Sequence, residues 1–129
     1  MELVGSDLTL CWFRRDLRWQ DNAALYFALK ENSRVLPLFI FDTNILDDLE
    51  DECDKRVEFI HRSLIHLKNQ FESWGSSLLV IHGKPVEVFS KLNPKSVYAN
   101  HDYEPYATHR DAEVRQVLNN RRILFKTFK

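Results

Sequence analysis

Glycine is scarce in this chain, with 3 in 129 residues. Phosphate loops built on glycine need several at fixed spacing, and neither G-x-G-x-x-G nor a P-loop occurs. A G-x-S-x-G nucleophile elbow is missing too, which excludes that hydrolase architecture. Cysteine is nearly as rare. Cys11 and Cys53 lack C-x-x-C spacing and read as reduced thiols of a cytosolic protein, not as a disulfide framework. The longest apolar run, Val35 to Phe41, is far too short to span a bilayer. Glu2, Asp7 and Arg14 interrupt the N-terminal apolar stretch, so no signal peptide is expected. A net charge of −1 carries no field that would draw nucleic acid or an anionic membrane to the chain as a whole.

What is present alternates. Short apolar runs (Leu8 to Phe13, Val35 to Phe41, Leu78 to Ile81, Ser96 to Asn100, Ile123 to Phe125) are separated by longer amphipathic segments. The run at Val35 to Phe41 is continuously apolar, as in a strand covered on both faces, although Pro37 cannot donate to a ladder. Asp21-Asn22 supplies an N-cap for a helix from Ala23 to Lys30, with Ala24, Leu25, Ala28 and Leu29 expected on its buried face. A long helix is predicted from about Lys55 to Trp74, because Val57, Ile60, Leu64, Leu67 and Phe71 recur at spacings of three and four. Gly75 follows as its left-handed terminator. Pro85 and Pro105 open two further helices. Five strands alternating with four helices predict a single α/β domain. Its sheet is a doubly wound, five-stranded, parallel one with helices on both faces, in the Rossmann-like manner.

In such a fold ligands sit beyond the carboxyl ends of the strands. Those ends carry Phe13, Arg14, Arg15 and Asp16, then Phe41 and Asp42, then His82 and Gly83, then Asn100, His101, Asp102, Tyr103 and Glu104. An edge rich in rings and charges suits a flat conjugated ligand, which stacks on the rings and hydrogen-bonds to the polar rim. The competing reading makes Arg14, Arg15, Asp16 and Arg18 an ion-pair cluster that pins loops. The acidic stretch Asp42 to Asp54 reads as a solvated loop and not a metal site. His61 and His66 lie five apart on a helix, about 140° around its axis, so they face apart. Cys11 sits inside a strand as a small hydrophobe. Arg110, Arg115, Arg121, Arg122, Lys126 and Lys129 make the C-terminal third basic, which reads as a solvated helix face. A phosphorelay receiver would need carboxylates after the first strand, and a flavodoxin-like carrier a phosphate loop there. Neither is present.

Four blocks carry a resemblance. Cys11-Trp12-Phe13-Arg14-Arg15-Asp16-Leu17-Arg18 with Asp21-Asn22-Ala23-Ala24-Leu25 resembles the opening W-F-R-x-D-L-R…D-N-x-A-L block of the DNA photolyase/cryptochrome family. Leu36 to Asp42, Leu78 to Pro85 and Tyr98 to Asp111 resemble its second strand, its L-L-V-x-x-G-x-P turn and its D-Y-E-P-Y…R-D segment. The resemblance implies the N-terminal α/β domain of that family, residues 1–129, which holds a light-harvesting antenna chromophore. It further implies that FAD, dimer repair and DNA contact belong to a helical domain beyond this chain, so the chain alone is not expected to be catalytic.

By the same resemblance Arg56 and Asp102 match chromophore contacts, and Phe41, Asp42 and Arg14 look like the rest of the pocket edge, with Glu104 beside them at the strand ends. Folate-binding members carry Asn-Glu where this chain has Tyr106-Ala107, which favours a deazaflavin or flavin over a folate. The implied partner is the helical FAD domain of the same parent, with DNA reached only through it and no membrane. A cryptochrome-type signalling protein, or a stand-alone partner-binding remnant, is the alternative.

Overall fold

The computed structural model describes residues 7–14, 16–42 and 55–129, with the backbone alone for 55–57. Strands β1 (Thr9–Phe13), β2 (Val35–Asp42), β3 (Leu79–Gly83), β4 (Ser96–Asn100) and β5 (Leu124–Phe128) alternate with four helices. These are α1 (Ala23–Glu31), α2 (Lys55–Ser73), α3 (Pro85–Lys91) and α4 (Pro105–Asn120). All pairings are parallel, and the strand order is β3-β2-β1-β4-β5. Chain growth therefore runs outward from β1 to β3, returns, and runs outward the other way through β4 and β5. Right-handed crossovers then place the first two helices on one face and the last two on the other.

Side-chain alternation along the strands feeds both layers. On one face Cys11, Phe13, Phe39, Phe41 and Tyr98 meet Ala24, Leu25, Ala28, Leu64, Leu67 and Phe71. On the other, Leu10, Trp12, Leu38, Ile40, Val97 and Ala99 meet Val88, Phe89, Leu92, Val114 and Leu118. Trp12 anchors this second layer, its indole edge-on to Phe89 at 4.9 Å. Pro37 is accommodated because β3 pairing begins only at Leu38, leaving Pro37 with a partner strand on one flank.

Local signals act as expected at most ends. The Asn22 side chain accepts the Leu25 N–H and caps α1. Gly75 adopts φ 79°, and Ser76 N–H returns to Phe71 O at 2.9 Å. Three expectations need correction. The apolar run Leu78 to Ile81 reads as a buried third strand, but β3 is a sheet edge and Val80 is 37% exposed. Leu29 is 60% exposed, because α1 turns Ala24, Leu25 and Ala28 inward and leaves Leu29 at the margin of that stripe. The last strand begins later and runs further than Ile123–Phe125. Arg122 is left-handed at φ 60° and the Ile123 N–H still bonds to Leu118 O, so the turn consumes Ile123. The acidic loop, Cys53 and Arg15 lie outside the described residues.

At the β5 edge, Glu31 Oε1 accepts the Tyr98 hydroxyl at 2.5 Å and Lys126 Nζ at 3.2 Å. These bonds hold the Glu31 carboxyl below its ordinary value of 4.5. A carboxyl depressed on folding stabilises fully above its unfolded value and loses that share as pH falls through the folded one. Tyr98→Phe should therefore flatten the fall in melting temperature between about pH 5 and pH 3 relative to the parent chain. Phe89→Ala, which empties a fully buried site against Trp12, should cost about 3–5 kcal/mol in denaturant unfolding.

Candidate functional site

Strand order reverses between β1 and β4, so the helices that follow them leave on opposite faces and a crevice opens at the carboxyl ends. The loop after β1 is shaped by short polar side chains. Arg14 N–H donates to Asp16 Oδ1 at 3.0 Å, and Asn22 Nδ2 donates to Arg18 O at 3.0 Å. Asn100, the last residue of β4, ties this loop down. Its Nδ2 donates to Asp16 Oδ2 at 2.6 Å and Asn22 Oδ1 at 2.8 Å, and its Oδ1 accepts the Ala24 N–H at 2.9 Å.

Above this clamp runs a row of charges. Arg14 Nη1 pairs with Asp111 Oδ1 at 2.7 Å, and its Nη2 donates to the Asn100 carbonyl. Arg110 Nε reaches the same Asp111 oxygen at 3.3 Å, and its Nη1 lies 3.9 Å from Asp42 Oδ2. Asp42 Oδ2 in turn accepts the Tyr106 hydroxyl at 2.7 Å. Both guanidiniums lie over the Trp12 ring, at 4.6 Å for Arg14 and 5.1 Å for Arg110. Arg14, Asp42 and Arg110 are all buried.

The predicted site residues divide accordingly. Arg14 and Asp42 are joined through Asp111 and Arg110, and the ion pair of Arg14 is with Asp111, while Asp16 takes the Arg14 N–H and Asn100 Nδ2. Phe41 is buried on the α2 side, stacked on His82 at 4.6 Å and tilted to His61 at 5.1 Å. Asp102 and Glu104 stand on the β4–α4 loop, where Asp102 Oδ1 accepts the Glu104 N–H at 3.2 Å. Arg56 falls in the first turn of α2, with its side chain outside the described residues.

Sequence reasoning placed Asn100 at this edge but missed Tyr106, Arg110 and Asp111 as members of it. A signal existed for Arg110: it occupies a position in the otherwise apolar stripe Ala107, Val114 and Leu118 of α4. The solvated-face reading of the basic segment is wrong for this residue, since it is needed between two carboxylates. Arg121 also turns inward, donating to Phe89 O at 2.6 Å and to Leu92 O. The Cys11 thiol, buried in β1, is pushed up first by desolvation and then by Asp16, which leaves it unreactive. Among the described residues no three His, Cys, Asp or Glu side chains gather as a metal site. No described helix is long and apolar enough to cross a membrane.

Fold and site together define a doubly wound α/β domain whose crevice, at the point of strand reversal, is lined by rings and paired charges. The chain belongs to the DNA photolyase family, whose sequence profile matches residues 9–129. It is 34% identical to the deoxyribodipyrimidine photo-lyase of a Synechococcus species, over 84% of this chain and 23% of that protein. It is 35% identical to cryptochrome-1 of Anopheles gambiae, over 81% of this chain and 21% of that one. The crystal structure of a photolyase from the archaeon Sulfolobus tokodaii superposes with a TM-score of 0.89 at 35% identity, covering 95% of this chain and 29% of its own. That protein carries two FAD molecules, taken to imply a novel light-harvesting cofactor. The chain thus spans less than a third of the length of each of these relatives.

Removing Asp111 would strand two buried guanidiniums. Asp111→Ala is expected to cost about 3–5 kcal/mol in denaturant unfolding, whereas Glu58→Ala, which breaks an exposed α2 pair with Arg62, should cost under about 1 kcal/mol.

Proposed function

We propose that this chain is the antenna domain of a photolyase, holding a flat light-absorbing chromophore at the carboxyl ends of its strands. The observation that carries the reading is the crevice itself. It brings hydrogen-bonding groups at Asp42, Asp102 and Arg110 to the place where doubly wound sheets bind ligands. The group supplies absorption of near-ultraviolet or blue light and passes the excitation on. Arg110 Nη2, buried without a hydrogen-bond partner, is a donor that fits such a group. The chain's own task is to orient the chromophore and exclude water from it, which needs neither a general base nor a nucleophile.

A flavin or a deazaflavin is the proposed occupant. The two FAD molecules of the Sulfolobus tokodaii relative support the flavin. Arg56 and Asp102 are the proposed polar contacts, with Phe41, Asp42 and Glu104 along the same edge and Arg14 bracing it from beneath. The parent protein, in this reading, drives flavin-dependent repair of pyrimidine dimers through a helical FAD domain that also contacts DNA. The likeness to Anopheles cryptochrome-1 favours a second reading, a blue-light signalling protein built on the same domain.

Titration of the purified chain with FMN, FAD, a deazaflavin and a reduced folate, followed by absorbance and fluorescence, tests the proposal. A saturable signal is expected with a flavin or the deazaflavin and none with the folate. Arg56→Ala and Asp102→Asn should each weaken binding about tenfold, the scale of one charge-assisted hydrogen bond. Absence of saturable binding by every one of these compounds overturns the reading.

A further inference from the structure

Of the three tryptophans, Trp12 has the most unusual surroundings. It is buried near the end of β1, with the Arg14 guanidinium 4.6 Å and the Arg110 guanidinium 5.1 Å from its ring centroid. Those two side chains are only 5% and 8% exposed, so solvent screens their charge little. The other neighbours of the indole are rings, Phe89 at 4.9 Å and Phe125 at 6.2 Å. Trp19 and Trp74 instead pack edge to face on each other at 4.9 Å, and among the described residues neither ring has a cation over it.

Indole is among the most readily oxidised side chains, and an excited flavin or deazaflavin is a strong one-electron oxidant. Where the two lie close, one electron leaves the indole as a radical cation and the excited ring is reduced by it. Return of that electron restores both ground states, and the absorbed light is lost as heat. A fixed positive charge opposes the first transfer. It attracts the π face of the neutral indole and repels the radical cation that electron loss would leave. We infer that Arg14 and Arg110 make Trp12 a poor electron donor, so that the charged row insulates an excited chromophore in the crevice from the aromatic core beneath it. This rests on the chromophore reading above and adds a second role for the two arginines within it. Asp111 and Asp42 pair with the guanidinium nitrogens, whereas the charges found over the ring are the two cations. Phe89 and Phe125 are far harder to oxidise than an indole, so the rings that touch Trp12 offer no relay past it.

The test uses the chain carrying Trp19→Phe and Trp74→Phe, in which Trp12 is the remaining tryptophan. Flash-quench oxidation of the unloaded chain by a ruthenium tris-bipyridyl complex, read as indole-radical absorbance, reports how readily Trp12 yields an electron. Arg110→Met should speed that oxidation about tenfold, while Arg110→Lys, which keeps the charge, should stay closer to the parent rate. Asp111 keeps Arg14, and Asp42 keeps the Tyr106 hydroxyl, when Arg110 is replaced. Arg14→Gln, with the same expected direction, takes its place if Arg110→Met does not fold. The second readout is the emission lifetime of a deazaflavin at saturating protein. Arg110→Met should shorten it, and adding Trp12→Phe should restore it. Equal oxidation rates in the parent and the charge-removing variants overturn the inference whether or not a chromophore binds. A lifetime that Arg110→Met leaves unchanged, or that Trp12→Phe does not restore, overturns the insulating role while leaving deazaflavin binding in place. Failure of the deazaflavin, FMN and FAD alike to bind overturns that role together with the reading on which it rests.

Discussion

Arg14, Asp111, Arg110 and Asp42 alternate in sign across the carboxyl ends of β1, β4 and β2, resting on the face of Trp12. Buried charges are tolerated only when each is matched, because desolvation of a lone ion costs several kcal/mol. This row is therefore a constraint on the whole upper edge of the sheet. Asp111 can reach Arg14 only if α4 leaves β4 at one angle, and Asp42 can reach Arg110 only if β2 ends level with it. Asn100 adds the third tie, binding the end of β4 to the loop after β1 and to the first turn of α1. The groups that close the row are the same groups that border the crevice.

The antenna role proposed above would ask little of its residues chemically and much of them geometrically. In that role energy transfer would depend on a fixed distance and orientation, so the mount would have to be rigid. A glycine-lined loop would be a poor mount, and this chain uses Asx turns, paired arginines and a two-sided core in its place. Its three glycines include Gly75, which ends α2, and Gly83, which ends β3 at φ 159° with a Cβ position 3.2 Å from Val88. Neither makes a phosphate loop. The charges of the row cancel locally, each guanidinium lying beside a carboxylate.

Much of the fold was legible because it depends on periodicity and on end signals. Val35 to Phe41 read as a covered strand in spite of Pro37, and the spacing from Ile60 to Phe71 as one helical stripe. What escaped was side-chain pairing over long separations. Arg14 and Asp111 are 97 residues apart, and Asn100 and Asp16 are 84 apart, so no local pattern links them. Burial of the β3 edge escaped for a related reason: Val80 is apolar in sequence, and only its place at the end of the strand order exposes it. Phe41, Asp42 and Asp102 were legible as strand-end residues. Arg110 was not, because a basic residue in a basic segment looks solvated until its neighbours along the helix are seen to be core.

In the proposed antenna role the charged row over Trp12 is a preformed mount for a flat ring. A crystal structure of the chain grown with lumiflavin tests it most directly. The ring is expected at the carboxyl ends of β1, β2 and β4, with the Arg14–Asp111 and Asn100 contacts unchanged. A flavin bound elsewhere on the chain, or bound only after that row has come apart, would contradict it.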